Sequence, residues 1–157
     1  GVCAAAIIGI FDNTLQSTLA LAAFIPVVIG MGGNIGTQTS TLVVRGLATG
    51  RVNVGNNINI IFKEIRVGLI LGILYGLLLG LFAIMSFVDI SPYLGLVVGL
   101  GIACSMLIAT AFGSLVPLLL HRMDIDPAIA TGPFVTTSID ILGVTLYFVI
   151  AKIFLPV

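Results

Sequence analysis

Long apolar runs, separated by short segments that hold most of the charges, make up this sequence. Hydrophobic residues account for 59% of the 157 residues and charged residues for only 8%, whereas a soluble domain carries about 25% charged residues. A transmembrane helix needs about 20 mainly apolar residues, and several runs reach that length. Outer-membrane strands would alternate over about ten residues, and these runs do not. The sequence therefore predicts an all-α integral membrane protein.

Five apolar blocks can be separated, and each predicts one membrane helix. They cover residues 2–11, 15–47, 67–88, 94–120 and 128–155. The first block is shorter than the about 20 residues of a full span, so we expect a truncated first helix in a chain that is part of a longer protein. Polar turns are expected at 12–14, 89–92 and 121–126, and a short interfacial connector at 51–61. Pro127 suits the first turn of the last helix.

The basic residues predict an orientation. The segment 45–66 holds four of the six Lys and Arg residues, and the turn 121–126 holds a fifth. The turns at 12–14 and 89–92 hold none. Because loops rich in Lys and Arg stay in the cytoplasm, we expect a cytoplasmic N-terminus and an outside C-terminus. Lys152 is the outside exception, and at a helix end its long side chain can reach the interface.

Asp140 is the only ionisable residue deep inside an apolar block, near the middle of residues 128–155. A charged side chain at the centre of a bilayer costs at least about 2.5–3.5 kcal/mol and usually marks a functional site that faces protein or water. On an α-helix, Gly132, Thr136 and Gly143 would share the face of Asp140. The sequence therefore predicts a small, polar face around one carboxylate.

The residue types around Asp140 favour a hard cation as its ligand. Pro133 has no N–H to donate, so we expect it to free a carbonyl oxygen of Gly132 or Ile129. Carboxylate, carbonyl and water oxygens are the ligands that Mg²⁺ and Ca²⁺ prefer. One carboxylate per chain is little charge for a divalent ion, which favours a symmetric dimer with two of them on a shared axis.

Two other roles for Asp140 stay open from the residues alone. In the first, Asp140 is a structural carboxylate that accepts hydrogen bonds from Asn34, Gln38 or Thr136. In the second, it takes part in proton-coupled transport. Both alternatives keep the side chain away from lipid, as the cation site does.

The second block contains an unusual glycine-rich and polar stretch, residues 26–41. Gly32 and Gly36 have the small-xxx-small spacing that lets membrane helices pack closely. Asn34 and Gln38 add amide groups, and polar or loosened backbone at this depth needs protein or a water-filled cavity beside it. The stretch predicts either tight helix packing or a polar wall along a permeation path.

The remaining charges and the cysteines carry less information. We expect Glu64 to form an interfacial ion pair with Lys63 or Arg66, with a charged pore mouth as the alternative, and no second charge deep in the membrane. Cys3 and Cys104 predict packing residues. A net charge of zero gives no basic patch for nucleic acid, and no nucleophile–base pair or ligand cluster indicates an enzyme.

Several motifs occur in a fixed order along the chain. They are Pro26, Gly30, Gly32-Gly33-Asn34, Gly36 and Gln38, followed by Arg45 to Thr49, Phe62-Lys63-Glu64, Asp126-Pro127-Ala128, Gly132 to Thr137 and Asp140. This series resembles the signature of the MgtE family of magnesium channels over nearly the whole chain. The Gly-Gly-Asn-x-Gly-x-Gln element is its most specific part.

The resemblance implies a homodimer in a bacterial or archaeal cytoplasmic membrane, with five membrane helices per subunit and a pore at the dimer interface. It implies that Asp140 from each subunit holds Mg²⁺, largely through the waters of the ion, and that Gly132 and Thr136 contribute backbone groups nearby. Asn34 and Glu64 would lie close to the pore. Many members have Asn-Pro where this chain has Gly132-Pro133, and a backbone contact would survive that change.

The resemblance also implies cytosolic N- and CBS domains before the membrane part, so we expect residues 1–157 to be either the pore domain alone or a natural relative without those domains. Two other functions remain open at this point. One is a cation-coupled secondary transporter, such as a Na⁺/Mg²⁺ exchanger. The other is a membrane scaffold that transports nothing.

Overall fold

The computed structural model describes residues 2–17, 19–52, 57–87, 91 and 93–155, and the helices in these ranges are joined without any strand. The predicted turn residues Asp89 and Pro92 lie outside the described residues. The helices are α1 (Val2–Ile10), α2 (Asp12–Ser17), α3 (Ala20–Ala48), α4 (Asn57–Ser86), α5 (Tyr93–Arg122), a 3₁₀ helix (Pro127–Thr131) and α6 (Pro133–Phe154). Helices α3, α4, α5 and α6 are long and apolar enough to cross a membrane. The prediction of an all-α membrane protein is confirmed.

Two predicted boundaries are wrong. Residues 12–14 begin the helix α2 instead of forming a turn. Helix α4 begins at Asn57, ten residues before the predicted 67, because the charged residues near its start can point away from the neighbouring helix while the backbone stays helical. The glycine-rich stretch of α3 also remains α-helical throughout.

The last predicted helix is divided into two parts. The Asp126 side chain accepts a hydrogen bond from the Ala128 amide at 2.9 Å and caps the 3₁₀ helix. Gly132 then has an extended backbone, with φ −105° and ψ −151°, because the residue before a proline avoids the α conformation. Pro133 is the first residue of α6, where its missing N–H is tolerated. The predicted single helix from Pro127 is therefore wrong.

Helix α5 is the central element and packs against α3, α4 and α6. Its buried small residues allow the neighbouring backbones to come close. Replacing the Gly113 hydrogen with a methyl group would put that carbon 2.5 Å from the Gly36 carbonyl oxygen of α3. Helices α3 and α5 run parallel, and α6 runs antiparallel to both. The larger part of the core lies between Leu21, Ile102 and Tyr147.

Helix α4 packs chiefly on α5, through a stripe of glycines. A methyl group at Gly76 would lie 2.6 Å from the Gly99 carbonyl oxygen, and one at Gly80 would lie 2.7 Å from that of Gly95. The other faces of α4 carry large exposed apolar side chains, such as Leu77, which is typical of a helix in contact with lipid.

The short helix α1 lies against the second half of α6. The rings of Phe11, which follows α1, and Phe148 stack with centroids 5.1 Å apart and an angle of 6° between their planes. The first apolar block thus packs on the second half of α6, in the position that the last turns of a membrane helix would take.

Candidate metal site

The Asp140 side chain lies about two turns into α6, at the contact between α6 and α3. It is half-buried, and a methyl group at Gly33 would lie 3.6 Å from its Oδ1 atom. Within the described ranges no hydrogen bond or ion pair engages the carboxylate, so the expected bonds to Asn34, Gln38 and Thr136 are not made. The missing side chain of Gly33 leaves this carboxylate open to a ligand.

Thr136 and Gly132 lie on the N-terminal side of Asp140. The Thr136 hydroxyl donates to the Pro133 carbonyl at 3.2 Å, and the Thr136 amide donates to the Gly132 carbonyl at a long 3.5 Å. Because Pro133 opens the helix, it breaks no bond inside it, and the Gly132 carbonyl is weakly engaged instead of freed. No protein atom would crowd a methyl group at Gly132 within 4 Å among the described neighbours.

Gly143 does not share the open face of Asp140. A methyl group there would lie 2.8 Å from the Ser105 hydroxyl oxygen of α5, and Gly143 is buried. The residue supports the site by letting α5 and α6 come close. Ser105, which the sequence analysis did not single out, lies between Gly143 and Gly32, where a methyl group on Gly32 would come within 2.6 Å of its hydroxyl oxygen.

Helix α3 has two different faces. Tight helix packing, the first interpretation of its glycine-rich stretch, describes one face, and a polar wall, the second interpretation, describes the other. Gly32 and Gly36 are buried against α5 and α6. Asn34 and Gln38 are exposed on the other side. They belong to a groove of about 500 Å³ whose lining residues are Asn34, Thr37, Gln38, Thr41 and Leu42.

The groove offers oxygen ligands. The hydroxyls of Thr37 and Thr41 donate to the carbonyls of Gly33 and Thr37, each at 2.8 Å, so their lone pairs remain available to the groove. These two threonines were not predicted as site residues. Thr37 follows Asn34 by three residues and Thr41 follows it by seven, and both spacings place a residue on the same helix face.

We call Asp140 and the groove residues together the polar strip, although Asp140 lies beside the groove and does not line it. Asp140 lies beside Gly33, which directly precedes Asn34 in α3. Within the described part of the chain, no three His, Cys, Asp or Glu side chains form a cluster. The strip thus combines one carboxylate with neutral amide and hydroxyl oxygens, a set suited to a hard, hydrated cation.

Glu64 is not in the interfacial ion pair that we expected. Glu64 lies in the first third of α4 and is only 7% exposed, whereas the neighbouring Lys63 and Arg66 are exposed. No ion pair or hydrogen bond joins Glu64 to any described residue. Glu64 is therefore a second carboxylate within a helix that is long and apolar enough to cross a membrane, because α4 begins earlier than predicted.

A comparison with known families decides what kind of protein this is. Residues 25–150 match the family model described as MgtE, divalent cation transporter. The chain belongs to the MgtE family. The MgtE match extends from α3 into α6, so it includes Asn34, Glu64 and Asp140.

Three curated MgtE relatives, each named magnesium transporter MgtE, align with 99% of this chain. Their identities are 37% over 155 residues for the Bacillus subtilis protein, 35% over 156 for the Thermus thermophilus protein and 35% over 158 for the Enterococcus faecalis protein. The aligned part is 34% of each relative. The chain thus spans about a third of the length of the MgtE proteins that it matches.

Proposed function

We propose that two copies of this chain form a Mg²⁺-conducting pore in a cell membrane, with the two Asp140 carboxylates facing the ion at the shared axis. The observation that carries the proposal is the polar strip, in which Asp140 lies beside Gly33, next to the exposed groove lined by Asn34, Thr37 and Gln38. Transport of Mg²⁺ is also in the name of the curated relatives.

The strip supports a dimer on physical grounds. Polar groups within the hydrocarbon region need protein or water beside them, and Asn34 and Gln38 are exposed in the single protomer. A second copy related by a two-fold axis would place an identical strip opposite the first. Two facing strips would enclose a polar path and give the ion two carboxylates.

The ligand set supports a hydrated ion. Mg²⁺ keeps several of its waters and needs few direct carboxylate ligands. The amide and hydroxyl oxygens of Asn34 and Thr37 can accept hydrogen bonds from those waters. A monovalent ion is attracted about half as strongly by the same carboxylates, which gives a basis for selectivity.

The charges support a direction in the membrane. Arg45, at the end of α3, Lys63 and Arg66, near the start of α4, and Arg122, at the end of α5, lie at one end of the bundle. That end would face the cytoplasm. The N-terminus would then lie on the cytoplasmic side and the C-terminus outside.

The test is Mg²⁺ flux into proteoliposomes for the variants Asp140→Asn and Asp140→Ala. Asp124→Asn is the matched control, because Asp124 is an exposed acid outside the spans whose φ of 56° asparagine also tolerates. We expect both Asp140 variants to lose flux or selectivity and the control to keep both. Unchanged, equally selective flux in the two Asp140 variants would reject the proposal, whereas no Mg²⁺ flux in the unmodified protein would favour a scaffold.

One observation favours a coupled transporter as the second candidate. Glu64 is a second buried carboxylate in a spanning helix, and a coupling ion needs such a group. Mg²⁺ flux that follows a Na⁺ or proton gradient at constant voltage would favour coupling. Flux that follows only voltage and the Mg²⁺ gradient would favour the channel.

A further inference from the structure

Glu64 is buried and has no positively charged partner among the described residues. The residue is 7% exposed, and an uncompensated buried charge is strongly destabilising. The basic residues nearest to it in sequence, Lys63 and Arg66, are exposed and form no ion pair with it among the described residues. Some other cation must therefore balance an ionised Glu64.

The part of α5 that faces Glu64 can be read from the helix contacts. A methyl group at Gly68 would collide with the Thr110 hydroxyl, and one at Gly72 would lie 3.0 Å from the Ala103 carbonyl oxygen. The two helices are therefore antiparallel. Glu64 is one turn before Gly68, and Ser114 is one turn after Thr110, so Glu64 and Ser114 lie at the same level.

The hydroxyls of Thr110 and Ser114 donate their protons within α5, so only their lone pairs remain for a ligand near Glu64. Thr110 Oγ1 donates to the carbonyls of Met106 and Leu107, each at 3.1 Å. Ser114 Oγ donates to the Thr110 carbonyl at 2.8 Å and is fully buried. A hydroxyl has one proton and two lone pairs, so its remaining capacity at this level is to accept. A carboxylate gains nothing from such neighbours unless a cation lies between them.

We propose that Glu64, with hydroxyl oxygens of Thr110 and Ser114, holds one monovalent metal cation between α4 and α5. Oxygen ligands suit hard cations, and one carboxylate among neutral oxygens balances one positive charge. A divalent ion would keep an uncompensated charge in the bundle and would lose waters that Mg²⁺ gives up reluctantly.

The surroundings of the site favour a singly charged ion. Between Glu64 and the helix ends lies a groove of about 230 Å³, whose lining residues are Ile58, Ile61, Leu115, Leu118, Leu119 and Arg122. The guanidinium of Arg122 repels a divalent ion twice as strongly as a monovalent one at the same distance. Cys104 is the one titratable residue of α5 that does not lie at an end of the helix; the others are Tyr93, His121 and Arg122.

The site is independent of the proposed pore at Asp140. Asp140 lies on α6 beside Gly33 of α3, whereas Glu64 lies on α4, which packs chiefly on α5. Failure of one proposal therefore leaves the other intact, and an experiment can separate them.

The test is thermal unfolding of the reconstituted protein in NaCl, KCl or N-methylglucamine chloride at equal ionic strength. An ion that binds only the folded state raises its stability with concentration. We expect the melting temperature to rise with Na⁺ or K⁺ in the unmodified protein and in Asp140→Asn, and the two salts identify the preferred ion. In Glu64→Gln the response should disappear.

A second variant keeps the test decisive if Glu64→Gln fails to fold. Glu64→Asp keeps the charge but shortens the side chain, and we expect its half-saturating ion concentration to rise about tenfold, equivalent to about 1.4 kcal/mol. The same response in the unmodified protein and Glu64→Gln would overturn the proposal. It would also be overturned by no response to either ion, or by an infrared band of a protonated carboxyl that Glu64→Gln removes.

Discussion

Gly33 of α3 and Asp140 of α6 face each other, and a methyl group at Gly33 would lie 3.6 Å from the Asp140 Oδ1 atom. That distance is ordinary van der Waals contact, so an alanine fits here without moving the helices. A larger side chain would fill the space beside the carboxylate. The absence of a side chain at residue 33 is thus what leaves Asp140 accessible.

The first prediction concerns Gly33. We expect Gly33→Leu to reduce Mg²⁺ flux by about tenfold or more, the effect of about 1.4 kcal/mol, because the new side chain displaces water of the ion beside Asp140. Gly33→Ala should have an intermediate effect. Gly30→Leu is the control on the same helix, since a methyl group there meets no atom within 4 Å. Flux measurement in proteoliposomes checks this, and normal flux in Gly33→Leu would contradict it.

The second prediction separates backbone from side-chain roles at Gly132. Its φ of −105° is open to any residue, and a methyl group there meets nothing within 4 Å. We expect Gly132→Ala and Gly132→Asn to fold and to conduct Mg²⁺ nearly as well as the unmodified protein, because only the carbonyl can serve the ion. Flux assays on both variants test this. A loss of flux in Gly132→Ala, with normal folding, would show that the backbone explanation is insufficient.

The third prediction concerns the contact of α3 and α5. In Gly113→Ala the new methyl group would lie 2.5 Å from the Gly36 carbonyl oxygen, which is backbone and cannot turn aside. We expect the free energy of unfolding to fall by about 1–3 kcal/mol. Gly9→Ala in α1, where a methyl group meets no atom within 4 Å, should be neutral or stabilising. Thermal unfolding in detergent compares the two, and equal stabilities would refute the close contact.

The fourth prediction concerns the hydroxyl of Tyr147, which donates to the Leu21 carbonyl at 3.2 Å in the core. We expect Tyr147→Phe to lower the free energy of unfolding by about 0.5–1.5 kcal/mol, with flux retained. Tyr75→Phe is the control, because Tyr75 is exposed on α4. Thermal unfolding of both variants measures the difference. An unchanged melting temperature in Tyr147→Phe would mean that this bond contributes nothing to stability.

Predictability from sequence differed between the elements. The spans α5 and α6 followed from uninterrupted hydropathy, and Asp140 stood out because the only other charge in its block, Lys152, lies near the end of the block. The start of α4 was missed because Lys63 and Arg66 look like a loop in a hydropathy pattern. In the fold they are exposed on a helix whose other side is buried, which only its packing partner reveals.

In the candidate site, too, the sequence indicated some residues and packing decided the others. Helical periodicity grouped Gly143 with Asp140, but Gly143 is buried against Ser105. The 3.6-residue period gives a direction around one helix, and it does not say where the neighbouring helices stand. Residues on the edge of a face are therefore assigned by packing and not by spacing.

The sequence by itself determined that this protein is a membrane-embedded helical bundle of the MgtE family with an unusual carboxylate at Asp140. Those properties depend on local hydropathy and on motif order, which a single chain displays directly. Tertiary structure alone decided that Gly33 leaves space beside Asp140 and that Glu64 is buried. Both depend on which helix faces which, because glycine-mediated backbone contacts set those neighbours.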